Sequence, residues 1–162
     1  MEKSDKQGRK PIRNITIQNK DFFAEVEREL VKGSSVTIKV RGFSMMPLLR
    51  DGRDSVVVRK VREDDIKVGQ VMFFRYRDSW IMHRLHSIDG ERLTFVGDGN
   101  HYLQQERVDR LDVVATVVAV KRDDGKEISC QSLRWRFLSA LWLMLRPNFG
   151  RIILGINRRL NI

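Results

Sequence analysis

Cysteine, proline and histidine are all scarce in this chain of 162 residues, which has one Cys, three Pro and three His. A lone Cys130 cannot close an internal disulfide, so a disulfide-stapled secreted fold is excluded. Three histidines beside one cysteine also argue against a multi-ligand zinc module, and neither a metal nor a cofactor is expected. Few prolines together with a 41% hydrophobic content exclude wholesale disorder. The start, MEKSDKQGRKPIRN, is charged and has no apolar run behind it. Neither a signal peptide nor an amino-terminal membrane anchor is visible there, and the expected location is the cytoplasm. The length suits a single domain, which usually takes about 100 to 200 residues.

Acidic residues are absent from one end, and that absence locates the charge. Residues 1–13 hold five basic and two acidic groups, residues 14–130 hold twenty and nineteen, and residues 131–162 hold six arginines and no acid. The net charge of +10 is therefore carried by the two ends, while the body is a nearly neutral, interleaved surface. The chain divides into a flexible basic segment at 1–20, a compact body at 21–127 and a basic apolar tail at 128–162.

Within the body, DFFAEVERELVKG places Phe22, Phe23, Val26 and Leu30 on one helical face, with Asp21 as N-cap and Gly33 as stop. The period then becomes that of strands at 35–40, 54–61, 71–76, 80–88, 92–96 and 113–120, each β-branched or aromatic and bounded by turn residues. The fold class is mainly β and antiparallel, with a short N-terminal helix and C-terminal amphipathic helices. Residues 133–145 are apolar almost all round a helix that Pro147 and Asn148 are expected to end. Thirteen helical residues reach about 20 Å, against about 30 Å of hydrocarbon. Joining them to 151–160 would bury Arg146 and Arg151 in mid-span at about 2.5 to 3.5 kcal/mol each. The tail reads as two interfacial helices. From Leu133 to Ile162 its arginines, with Trp135 and Trp142, suit peripheral contact with an anionic inner leaflet. Packing on its own domain or on a partner is the equal alternative.

The residues able to do chemistry centre on VRGFSMMPLLRDG. Gly42 removes a side chain just before Ser44, and Pro47 stiffens the residues after the serine, so Ser44 is either an exposed nucleophile or a turn serine bonding its own backbone. A serine hydroxyl needs a base. Strand alternation puts His83 on a face with Ile81 and Leu85, and Met82, Arg84 and His86 on the other. His83 is then a base or a satisfied core histidine, and a metal pair with His86 is disfavoured because the two point apart.

The blocks GFSMMPLLRDGRDSVVV, DIKVGQVMFFR, WIMHRL and VGDGN, in that order, resemble the type I signal peptidase family, of the clan that also holds the self-cleaving SOS repressors. The resemblance covers residues 36–120 and implies a signal-peptidase-like β body. It implies that Ser44 is the nucleophile. Where many members place a lysine base there is none here between Lys67 and Lys121, and His83 stands in its place, as in the Ser/His branch with its His-Arg pair. Imidazole, with an ordinary pKa near 6.5, is a competent base at neutral pH. That branch has an orienting acid a few positions beyond VGDGN, where this chain has Gln104 and Gln105; Asp98 or Glu106 would have to serve. With Gly42 where some members offer a hydroxyl, the oxyanion would be held by backbone N–H groups at the Gly42 and Ser44 turn, that of Ser44 included. The substrate would be an extended peptide added as a strand and cut after a small residue, with Phe43, Met45 and Met46 lining its pockets. The implied function is a serine endopeptidase trimming a leader or propeptide. The competing reading is a catalytically inactive relative that binds a peptide and is held at the membrane by its tail. No nucleic-acid-reading module is visible, so no nucleic-acid partner is expected.

Overall fold

The computed structural model describes residues 20–100 and 104–160. The expectation for residues 1–19 lies outside the described residues; Asp21, expected as N-cap, instead falls inside the first helix, which already includes Lys20. The chain forms a helix, α1 (Lys20–Val31), then strands β1 (Val36–Lys39), β2 (Ser55–Lys60), β3 (Val71–Tyr76), β4 (Ser79–Asp89), β5 (Arg92–Val96), β6 (Gln105–Asp109), β7 (Val113–Lys121) and β8 (Glu127–Ser129). A second helix, α2 (Leu133–Leu160), comes after β8. The strands make one antiparallel sheet in the order β1-β2-β7-β3-β4-β5-β6, with β8 added to β7.

The mainly β class holds, and its strands sit where alternation placed them. Two strands escaped the sequence reading, β6 and β8. In β6, QERVD, Val108 alone is buried, so no apolar alternation marks it. Its place comes from pairing, Phe95 opposite Glu106 and Val96 opposite Gln105.

Both faces of the sheet are covered, which explains why all of VMFF in β3 is buried. Val71 and Phe73 join one core with Val26 and Leu30 of α1, Val56 and Val58 of β2, and Trp135 of α2. Met72 and Phe74 join a second with Leu85, Leu93, Phe95 and Val108, formed where the β3 to β6 half of the sheet curls over itself. Helix α1 stops where Gly33 takes a positive φ of 80°, with its N–H on Leu30 O and that of Ser34 on Glu29 O. Phe23 stacks on Trp80 at 4.7 Å, and Glu27 pairs with Arg75 of β3.

The tail departs from expectation. Pro147 lies inside α2, which runs as one helix instead of two. A proline removes one hydrogen bond of the ladder and crowds the preceding turn, but residues on either side can still make their own bonds. The helix begins with the Trp135 N–H donating to Ser132 Oγ at 3.2 Å, a side-chain cap. Trp135 and Trp142, expected at a lipid interface, are each only 4% exposed, so the first half of α2 packs on its own sheet. The reason is spacing: seven residues apart, they fall on one helical face, and that face meets the core. Among the described residues no helix is long and apolar enough to cross a membrane.

Candidate active site

The loop between β1 and β2 carries Ser44. Val40 N–H donates to Asp54 O and Gly52 N–H to Val40 O, which closes the loop at its base. The buried Asp54 carboxylate anchors it: it accepts from Arg50 N–H at 2.8 Å and from Arg122 at 2.5 Å, while Arg122 also donates to Leu48 O. The Arg50 guanidinium is held above its ordinary pKa, chiefly by its hydrogen bond to Asp54. Met45 and Leu49 plug into the first core, which leaves Ser44 half-buried at the surface turn. Gly42 needs its freedom, having φ of 84°. Its N–H donates to Asp51 Oδ1 at 2.8 Å, so it is not available to an oxyanion, a correction to the turn reading. Among the described residues no acceptor takes the Ser44 N–H.

Of the three expected pocket residues, Phe43 alone remains outside, 51% exposed beside Ser44. Met45 and Met46 are 2% and 4% exposed, so they are core and turn support instead of lining. Their apolar side chains fill the space beneath the loop, as flexible methionines commonly do.

His83 lies on β4 opposite Met72 of β3 and is 5% exposed. Its ring meets Phe74 edge-on at 6.4 Å, and Nδ1 is 2.7 Å from Glu106 Oε2. An ionised carboxylate only accepts, so this partner assigns the proton to Nδ1 and leaves Nε2 as the acceptor. Nε2 faces the loop after β5. A Cβ placed on Gly97 would lie 2.6 Å from Ser44 O and 2.8 Å from both His83 Nε2 and Asn100 Nδ2, so the serine backbone and the ring nitrogen flank the same glycine. A Cβ on Gly99 would lie 2.3 Å from Phe43 O. Both glycines are therefore required by close approach. Gly99 N–H donates to Ser44 O at 2.7 Å, which seals the two turns together.

The two candidate acids separate. Glu106 holds His83. Asp98 does not reach it, because both its oxygens are taken by Arg84, at 2.8 Å from Nε and 2.6 Å from Nη2. Arg84 also donates to Gly69 O at 2.7 Å. Arg84, placed by alternation on the face opposite His83, is only 4% exposed. His86 is exposed, where the β4–β5 register shifts between Leu85 and Ser87, whereas His83 is buried; among the described residues no group of three or more His, Cys, Asp or Glu could hold a metal. Arg146, weighed in the sequence only as a charge against a membrane span, proves to reach the site. It reaches from α2 to donate to Gly97 O and Asn100 O, and nothing in a tail read as lipid-facing signalled that contact.

A family model described as Peptidase S24-like matches residues 6–118. The chain belongs to that family. No curated protein matches it significantly. The S24-like assignment lies in the clan that the motif blocks indicated and points to serine peptidase-like activity. S24-like peptidases include members with a Ser/Lys dyad, whereas here the strand facing the serine turn presents His83. The match ends within β7, so β8 and α2 lie beyond it.

Proposed function

We propose that this S24-like chain is a serine endopeptidase of Ser/His type, in the manner of the His branch of the signal peptidases. Ser44 is the nucleophile, His83 the base and Glu106 the group that orients it. The observation that carries this reading is the 2.7 Å contact of His83 Nδ1 with Glu106, which leaves Nε2 on the side of the Ser44 turn without a hydrogen-bond partner among the described residues. Ser44 Oγ attacks the scissile carbonyl as His83 Nε2 takes its proton, and Glu106 stabilises the imidazolium. The Ser44 N–H donates to the developing oxyanion. His83 then returns the proton to the leaving amine, and water hydrolyses the acyl-enzyme by the same route in reverse. The substrate is an extended peptide with a small residue before the cut, passing the exposed ring of Phe43.

The test compares new peptide N-termini in cells expressing wild type, Ser44→Ala and His83→Ala at equal levels. Discrete termini that depend on both residues support the peptidase. Identical profiles from all three would leave the inactive peptide-binding relative as the reading.

The outer face of α2 is assigned to an anionic membrane surface. Leu133, Phe137 and Met144 are 81%, 66% and 68% exposed, beside exposed Arg134 and Arg136. Apolar side chains with arginines and no acid suit such a surface. Co-sedimentation with vesicles containing anionic lipid, lost on Phe137→Glu, would support it; equal behaviour of both proteins would remove it.

A further inference from the structure

The Gly97–Asn100 turn carries the groups that bring Ser44 and His83 together; it is a glycine-rich segment, buried from Gly97 to Gly99, with one internal backbone bond among the described residues, Asn100 N–H to Gly97 O at 3.1 Å. Its two bracketing carbonyls, Gly97 O and Asn100 O, both accept from Arg146 Nη2, at 2.9 and 2.7 Å. The guanidinium is half-buried, and desolvation holds its pKa below the ordinary value; Asp98 opposes that shift and Arg84 adds to it. Arg146 is one helical turn after Trp142, which is buried, on the helix whose Trp135 joins the first core. A rigid arm thus delivers one cation to the back of the turn that faces the serine, from a helix beyond the residues the family model matches.

We propose that Arg146 is a positioning residue: by tying the ends of the Gly97–Asn100 turn together, it sets where that turn presses on Ser44 and His83, and so makes α2 part of the working peptidase. Functionally this rests on the Ser44/His83 reading; the structural half, that Arg146 holds the turn, does not. Arg146 touches no substrate. It acts through two carbonyls, and a displaced turn would misplace the serine relative to its base. A shift of about 1 Å at such a distance from the chemistry can cost about a hundredfold in rate.

Three variants test it: Arg146→Ala, Arg146→Lys and, as reference, Lys60→Ala at an exposed position at the end of β2. Amide hydrogen exchange at Gly99, whose N–H donates to Ser44 O, reads the turn without requiring activity. Arg146→Ala is expected to speed that exchange about tenfold or more while exchange in β3 stays slow. With a peptide substrate, kcat is expected to fall about 10- to 100-fold at nearly constant KM, and guanidinium ion added to Arg146→Ala to restore part of it. Arg146→Lys should fall between, and Lys60→Ala should match wild type. If Arg146→Ala does not fold, Arg146→Lys is read in the same way, since it keeps the charge and the helix. Unchanged Gly99 exchange overturns the proposal, even where kcat falls. Faster exchange with unchanged kcat overturns the functional half. If Ser44→Ala retains wild-type activity, the peptidase reading fails by itself, and Gly99 exchange still decides whether Arg146 holds the turn.

Discussion

His83 and Arg84 are neighbours on one strand, point to opposite faces, and each holds a carboxylate, but the two pairs are built differently. Arg84 and Asp98 are 4% and 0% exposed and joined by two parallel hydrogen bonds, with Gly69 O taking a further guanidinium donor. That arrangement satisfies a buried ion pair and leaves it nothing to do but hold the β4 strand to the turn after β5. His83 and Glu106 share one contact, and the second ring nitrogen is left facing the Ser44 turn. A pair that is complete is structural. A pair with one nitrogen left over can move a proton.

The largest effect that would break this contrast is on rate. Glu106→Gln preserves the shape but can stabilise the wrong tautomer, and a comparable change in a well-studied triad lowers turnover about ten-thousandfold. Steady-state kinetics on Glu106→Gln are expected to show a loss of about that order, with the urea midpoint close to wild type. A rate within a few-fold of wild type would mean that Glu106 is not the orienting acid. Second, Arg84→Ala leaves the Asp98 charge buried without its partner and is expected to cost about 3 to 5 kcal/mol of stability, measured by urea unfolding. Activity per folded molecule should change far less than in Glu106→Gln.

Third, Gly99→Ala places a methyl 2.3 Å from Phe43 O, a backbone atom that cannot swing aside. Overpacking of this kind costs about 1 to 3 kcal/mol, and both stability and rate should fall, because the two turns are forced apart. The smallest effect concerns Cys130, a buried group outside either pair. Burial pushes its thiol pKa up to about 12, against an unfolded value near 8.5. The folded state therefore binds the proton more tightly, and this group's contribution to stability is complete below about pH 8.5 and is lost as pH rises towards about 12. Alkylation by iodoacetamide at pH 8 should be negligible until the protein unfolds.

The fold was largely legible because its strands are rich in β-branched and aromatic residues and its turns in glycine and aspartate. Ser44 and His83 could be picked out from the G-x-S-M-x-P and strand contexts. The choice between Asp98 and Glu106 could not be made that way. Asp98 is nearer the glycine motif in sequence, but Glu106 sits on β6, a strand with one buried residue and so no readable period. Met45 and Met46 looked like lining because they flank the serine, and which way each points was decided by the turn. The tail was misread at Pro147 because a proline signals a helix end only when nothing holds the helix on both sides, and composition does not reveal an anchor such as Trp142.

The sequence by itself determined the strand-rich class, the tight turn that carries Ser44, a histidine on a strand without any lysine nearby, and a basic C-terminal segment free of acids. Those are local matters of period, turn chemistry and charge. Tertiary structure alone decided which acid meets which cation, which side of the sheet each methionine fills, and that Arg146 closes on the turn beside Ser44 from 46 to 49 residues away. Such contacts depend on strand pairing and helix docking, whose geometry emerges only once both faces of the sheet are covered.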